Sequence, residues 1–461
     1  MYYRVSEPYQ LVGWNNLRTG VLDTEQNDVT FLPGNEYRLL LHMNGREEID
    51  PDTLTPWQRE TISKFLEKKL ILTSETPFPD PGVPLYRRYD HYRVESVHWS
   101  ITGRCNYNCR HCFVSSPEND TEDLTTDECL DIIRQIADCG IRKLSLTGGE
   151  PLIRRDLPVL IRTCSDAGIR ITELYTNGAL LTPELTDLFI GNGHRPTVHI
   201  SYDGVGWHDW VRGCEGAQLV AENAFAVARD AGLKTGASMC LFRDNVPSIR
   251  ETVLRLVSLS VGSVRISPML SLGLWGEHYS EKTLSAEEFL QVVTGYIPFF
   301  FADGKPCNLS MGGYFNYYRD RDISTVNLAK HPDSQAPLHP CPWAASNIYI
   351  SSTGTVLPCM EFAGSPGAAA FPELRKTSLR QILKDSVLAK TTRTTTEDVY
   401  SANTECTDCP ERGVHCGESC RACAVPGFTG LDLDTCQFVR NGWYRQVREA
   451  VEKAGGTFTL L

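Results

Sequence analysis

Residues 101–113 read ITGRCNYNCRHCF, with cysteines at 105, 109 and 112 and no fourth close behind. Thiolates are soft ligands suited to zinc and to iron–sulfur clusters. Structural zinc takes four protein ligands in a closed tetrahedron, so three cysteines fit it poorly. Three suit a cubane [4Fe–4S] cluster that leaves one iron open to chelate a small molecule. A second array follows: Cys341, Cys359, Cys406, Cys409, Cys416, Cys420, Cys423 and Cys436. Its CTDC and CRAC pairs would serve structural zinc as well as a cluster. The other cysteines, Cys129, Cys139, Cys164, Cys214, Cys240 and Cys307, are scattered singly.

The elements around the triplet must place it. From about residue 96 strands alternate with helices: SVHWSIT, KLSLT, ITELYT, TVHISY, TGASMCLF and SVRISPML are the candidate strands. LTTDECLDIIRQIADCG opens with Thr125 and has Glu128 three residues on, a capping box, and closes on Gly140. In LTPELTDLFIGNG, Thr182 is the N-cap and Pro183 the first helical residue. DCGIR, DAGIR and DAGLK each join a helix end to the next strand, the glycine taking the left-handed terminating conformation. Six such units predict an α/β fold, a partial (β/α)6 barrel with helices outside. In such folds chemistry gathers at the C-terminal strand ends. The triplet, TGGEP (147–151), YTNG (175–178) and SYDG (201–204) all follow strands, so one face carries the site.

Residues 1–75 read as a separate small unit. Short strands are expected at YQLVGW, TGVLDT and DVTFL, and helical spacing in EYRLLLHMNG and PWQRETISKFLEKKLIL. In the last of these Trp57, Ile62, Phe65, Leu66 and Leu70 fall along one broad face. The proline-rich TPFPDPGVP marks 76–95 as a linker. The barrel is expected over 96–275 and a bridging region over 276–340, with a helix at LSAEEFLQVVTGYIPFFF and an irregular GKPCNLSMGGYFNYYRD. Residues 341–461 read as a loop-rich domain with one helix, TSLRQILKDSVLAK, held by metal more than by an apolar core.

The chain has 461 residues, a formal charge of −12 and 17 cysteines. The acidic balance argues against nucleic acid as a partner, and no apolar run is long enough to cross a bilayer. MYYRVSEPYQ lacks a secretory signal pattern, so the expected location is cytoplasmic, where clustered cysteines bind metal rather than form disulfides.

CNYNCRHC, then TGGEP, YTNG, SYDG and HDWVRG (208–213) in that order, resemble the radical S-adenosylmethionine (SAM) enzymes, especially their peptide- and protein-modifying branch. The resemblance implies that Cys105, Cys109 and Cys112 hold a SAM-binding [4Fe–4S] cluster. It assigns Gly148, Gly149, Glu150 and Pro151 to the methionine amino group. It places Thr176, Asn177, Ser201 and Arg212 near the cofactor, and His111 where relatives carry an aromatic against adenine. One-electron reduction would cleave the sulfonium and leave a 5′-deoxyadenosyl radical.

The C-terminal array resembles the SPASM extension, with six residues rather than five between Cys409 and Cys416. Carried across, Cys406, Cys409, Cys416 and Cys436 hold one auxiliary cluster. Cys341, Cys359 and Cys420 hold three irons of another, whose fourth ligand is Cys307, Cys423 or an open position. The total would be three [4Fe–4S] clusters.

The N-terminal unit resembles the winged-helix leader-binding domain of peptide-modifying enzymes, in which a leader peptide adds a strand to a sheet edge.

The expected function is a radical SAM/SPASM maturase of a ribosomally made precursor peptide, forming a C–S or C–C cross-link. A one-electron donor such as flavodoxin or ferredoxin would drive it. A peptide epimerase is an alternative, with Cys240 as hydrogen donor, although a buried cysteine is commonly packing. A sulfatase-maturating oxidase is a second alternative, disfavoured because Met360 follows Cys359 and the acid, Glu361, comes one later. A non-catalytic, zinc-containing binding module is the third.

Overall fold

A computed structural model of the chain describes all residues except 17–18, 27, 80–85, 113–121, 272, 329–338, 365, 417–431 and 461. Six parallel strands lie side by side in chain order: Ser96–Ser100, Lys143–Thr147, Arg170–Thr176, Thr197–Ser201, Thr235–Leu241 and Ser263–Pro268. Along them Val97, Trp99, Leu144, Leu146, Val198 and Ile200 are buried in one cluster with Ile132, Ile133, Leu160 and Phe225 of the intervening helices. The alternate residues turn the other way, because successive side chains of a strand point to opposite faces. His98, Ser145, Tyr175 and Arg265, from four different strands, wall a single cavity of about 930 Å³. The sheet is therefore curled, and its concave side is polar.

Local signals place the helices. Thr125 and Glu128 close a capping box at the head of Thr126–Asp138, and Thr182 caps Pro183–Gly191. Gly140, Gly168 and Gly232 take φ of 73°, 68° and 70° at the three helix-to-strand joints, a conformation glycine adopts without steric cost.

The sheet extends past the six units. Asn308–Met311 adds a parallel strand beyond Ser263–Pro268, followed by antiparallel Phe315–Tyr318 and Ile323–Thr325. These come from the stretch expected to be irregular. Gly312 and Gly313, at φ 54° and 78°, turn it into a hairpin. On the other edge Asn347–Ile350 pairs in parallel with Ser96–Ser100. The C-terminal region thus extends the sheet at this edge.

That region has more helix than expected. TSLRQILKDSVLAK breaks into Leu379–Lys384 and Val387–Thr391, because Ser386 caps the second helix. Leu433–Arg440 and Trp443–Lys453 follow. Leu379, Ile382, Leu388, Val447 and Val451 join the main apolar cluster, so burial as well as any metal holds this part.

The N-terminal residues form two small sheets. One orders Asn44–Glu48, Tyr2–Val5 and Ile71–Ser74; the other orders Asp28–Phe31, Gly20–Asp23, Tyr9–Gly13 and Tyr86–Arg88. The last strand lies in the segment expected as linker. EYRLLLHMNG gives the helix Gly34–Leu41 and then turns into strand Asn44–Glu48. Helix Pro56–Glu67 buries Ile62 and Phe65, as its spacing predicts, but Trp57 is 39% exposed. Five residues before Ile62, Trp57 lies about 140° away around the helix and off the buried face.

Candidate active site

The cysteine triplet is fixed by backbone pairing with TGGEP. Gly149 N donates to Thr102 O (2.8 Å) and Glu150 N to Arg104 O (2.9 Å). A Cβ on Gly148 would lie 2.5 Å from Thr102 O, and one on Gly149 2.3 Å from Arg104 O. The close approach these glycines permit is to the cysteine loop itself. Asp123 holds the same loop, accepting from Gly103 N (2.7 Å) and Thr102 Oγ1 (2.5 Å). Burial pushes the Cys105 thiol up to about 11, and the nearby Cys109, Glu150 and Cys112 add to the rise. Three thiols gathered on one short loop form a soft donor set that suits a metal cluster.

Glu150 is fully buried. It accepts from Leu152 N (3.0 Å), Thr176 Oγ1 (2.8 Å) and Asn177 N (2.8 Å). Burial pushes its pKa up to about 7 against these hydrogen bonds. Asn177 Nδ2 also donates to Asn106 Oδ1 (2.8 Å), inside the triplet. Thr176 and Asn177, expected near the cofactor, thus position Glu150 and the cysteine loop. Pro151 is buried at the start of a short 3₁₀ turn.

Helix His208–Arg212 docks on the triplet. Arg110 N donates to Val211 O (2.9 Å), and Arg110 lies over the Trp210 ring and hydrogen-bonds Trp210 O. Gly213, φ 63°, ends the helix where a Cβ would lie 2.4 Å from Asn108 O. Arg212 Nη1 reaches within 3.7 Å of Cys109 Sγ, while its Nε donates to Asp203 Oδ2 (2.7 Å). Asp203 is fully buried, which opposes ionisation, yet the Arg212 guanidinium holds it well below the usual carboxylate range. Cys240 N donates to Asp203 Oδ1 (3.0 Å), and Asp203 N to His208 Nδ1 (2.9 Å).

His111, its pKa lowered to about 4 by burial, is neutral. Its ligand nitrogen lies within 4.8 Å of an Asp203 oxygen and Cys240 Sγ. Its Nδ1 is buried with no hydrogen-bond partner among the described residues, an orphan that a bound nucleotide would satisfy. Ser201 ends its strand half-buried and makes no side-chain hydrogen bond among the described residues. Nothing in SYDG singles out Asp203; only its partner across the loop, Arg212, shows the role.

Thr147 and Tyr175, each one residue before the strand-end groups Gly148 and Thr176, line the cavity. Glu173 accepts from Ser145 Oγ (2.9 Å) and from the Tyr175 hydroxyl (3.1 Å). Tyr175 stacks on His199 with centroids 4.6 Å apart. Gly236 leaves the room this needs, since a Cβ there would lie 2.7 Å from His199 Nδ1. Burial lowers His98 to about 4. Strand alternation was the signal for these inward residues, but the sequence did not show that they share one space.

Cys341 and Cys359 line the same cavity. Cys406, Cys409, Cys416 and Cys436 converge elsewhere in the C-terminal region. Burial, and then Cys436, Cys406 and Cys409, push Cys416 up to about 11. Four mutually close thiols fit a second cluster. Cys420 and Cys423 lie outside the described residues. Cys307 is buried beside Tyr296 in the main apolar cluster and is not among the residues lining the cavity of Cys341 and Cys359.

Comparison with known proteins finds two matched regions. Residues 99–256 match the Radical SAM superfamily, and residues 341–410 match the SPASM iron–sulfur cluster-binding domain. The AdoMet-dependent heme synthase of Methanosarcina barkeri is 26% identical over 341 residues, 72% of this chain and 93% of that protein. The Fe-coproporphyrin III synthase of the same organism is 31% identical over 201 residues, 43% of this chain and 49% of that protein. The fold is similar to Streptococcus suis SuiB bound to precursor peptide SuiA (TM-score 0.61, 14% identity, 94% of this chain and 100% of that one). It is also similar to anSMEcpe with bound AdoMet (TM-score 0.58, 14% identity, 78% and 99%). The two domains imply S-adenosylmethionine and [4Fe–4S] clusters. The described residues contain no helix long and apolar enough to cross a membrane. With the three-cysteine loop and the buried Glu150 inside the first match, and Cys341, Cys359, Cys406 and Cys409 inside the second, this is a radical SAM enzyme with a C-terminal SPASM domain.

Proposed function

We propose that this protein is a maturase of a ribosomally synthesised peptide that installs a C–S or C–C cross-link. The observation that carries the reading is the cavity. Its wall includes Thr147 and Tyr175, the residues directly before Gly148 and Thr176, and Cys341 and Cys359. Cys341 and Cys359 on that wall would hold an auxiliary cluster that could accept the second electron. Similarity to SuiB over 94% of the chain, including the N-terminal unit, supports a peptide substrate.

When bound, the cluster and S-adenosylmethionine supply a 5′-deoxyadenosyl radical. The chain's own residues do the rest. Cys105, Cys109 and Cys112 hold the cluster. Glu150 accepts a hydrogen bond from the amino group, and Arg212, aimed by Asp203, binds the carboxylate. His111 and Ser201 border the nucleoside. Cys406, Cys409, Cys416 and Cys436 hold one auxiliary cluster. Cys341, Cys359 and Cys420 hold another, giving three in all. Residues 1–75 recognise the leader as a winged-helix-like unit joined through 76–95. The barrel spans 96–275, a bridge 276–340 and the auxiliary domain 341–461. A flavodoxin or ferredoxin supplies electrons in the cytoplasm.

Epimerisation is the second reading. It is favoured by Cys240, whose thiol lies beside His111 and Asp203 at the cofactor end. Co-expression with each short open reading frame beside the gene, followed by mass spectrometry, separates the two. A cross-link removes two hydrogens. An epimer keeps its mass and takes up one solvent deuterium. Absence of any peptide change, with turnover of a tetrapyrrole instead, would refute the peptide reading.

A further inference from the structure

The cavity holds charged groups from opposite walls, and most are already paired. Lys143 Nζ meets Asp28 (3.0 Å) and Glu95 (3.7 Å). Glu173 is held by Ser145 and Tyr175. Arg265 differs. It lies mid-strand between buried Val264 and Ile266, its side chain is exposed into the cavity, and it has no hydrogen bond, ion pair or aromatic contact among the described residues. Its neighbours in register are Ser238 on one side and Ser310 on the other. Small residues thus flank it, and Gly312 and Gly313 continue the same wall. A guanidinium on a central barrel strand is ordinarily paired, and its planar fork matches a carboxylate through two parallel hydrogen bonds. Glu361, on the wall beside Cys359, forms no ion pair with it.

We propose that Arg265 is the substrate anchor of this cavity and binds a carboxylate of the substrate. Under the peptide reading, on which the source of the carboxylate rests, that group is an Asp or Glu side chain next to the modified residue. The anchor sets which residue faces the radical, because the remaining cavity wall is fixed relative to it. Lysine at 265 would keep the charge but lose the fork, and so retain only part of the selectivity.

The test needs no natural substrate. Anaerobically reconstituted protein is titrated with N-acetyl-L-glutamate N-methylamide and with its glutamine counterpart, and binding is read by saturation-transfer NMR. Coproporphyrin III, read by absorbance, is the third probe. The glutamate probe is expected to bind roughly tenfold more tightly than the neutral one. Arg265→Gln should abolish that preference and Arg265→Lys reduce it, with iron content and thermal transition matching the parent. Binding of coproporphyrin alone, weakened by Arg265→Gln, keeps the carboxylate anchor and removes the peptide reading. Equal binding of the two amino-acid probes without such porphyrin binding, a preference that survives Arg265→Gln, or no binding by any probe overturns the proposal.

Discussion

Changing Asp203 to asparagine removes one negative charge from a site with no solvent to compensate. Asp203 is fully buried, and the Arg212 side chain is 11% exposed, their closest atoms 2.7 Å apart. Breaking a buried pair from one side leaves the other charge stranded, at a cost of about 3–5 kcal/mol. Removing both partners together strands nothing and costs far less. Asp203→Asn and Arg212→Met should therefore each lower the thermal transition by roughly 5–10 °C, taking about 2 °C per kcal/mol for a large chain. The double variant should lie well above the sum of the two losses. The assay is differential scanning calorimetry of anaerobically reconstituted protein at matched iron content, read as a cycle because unfolding of a multidomain metalloprotein is not two-state. A coupling smaller than about 0.5 kcal/mol would mean independent sites. It would refute the argument that Asp203 aims Arg212 at the cofactor.

Other outcomes follow from the same geometry. Glu150→Gln replaces an ionisable acceptor by a neutral amide and should weaken S-adenosylmethionine binding about ten- to a hundredfold, measured by equilibrium dialysis. Glu150 also sets a pH dependence of the ligand-free protein. Its folded pKa, about 7, lies above the ordinary value of 4.5, so the native state holds the proton longer, and stability from this group falls as pH rises from about 4.5 to 7. The melting temperature of the parent should decline across that window more steeply than that of Glu150→Gln. Gly149→Ala drives a Cβ into the Arg104 carbonyl at 2.3 Å, so it should cut iron bound at the triplet, seen as a loss of SAM-perturbed electron paramagnetic resonance signal. Cys416→Ala should remove about four irons per chain by colorimetric assay. An unchanged iron count would dissolve the four-thiol assignment.

Much of the framework was legible because it is encoded over short distances. Thr125 with Glu128, Thr182 before Pro183 and the three helix-ending glycines act within one turn. The alternation of Val97 and Trp99 around His98 acts along one strand. Residues that combine across the chain were not legible in this way. That Gly148 lies against Thr102 O and Gly149 against Arg104 O is not visible in TGGEP itself. The hairpin at Gly312 and Gly313 looks irregular until Ser263–Pro268 offers it an edge.

The amino-acid order alone determined the spacing of the three cysteines, the succession of strand-end motifs and the caps at Thr125 and Thr182, since each depends on neighbours within a few residues. Only the tertiary structure decided that Asp203 neutralises Arg212, that Cys341 and Cys359 face the barrel cavity, and that Arg265 stands there unpaired among the described residues. Such pairings depend on where a curled sheet brings segments tens to hundreds of residues apart. Burial then fixes what each charge must find, because a group removed from water has only those neighbours to stabilise it.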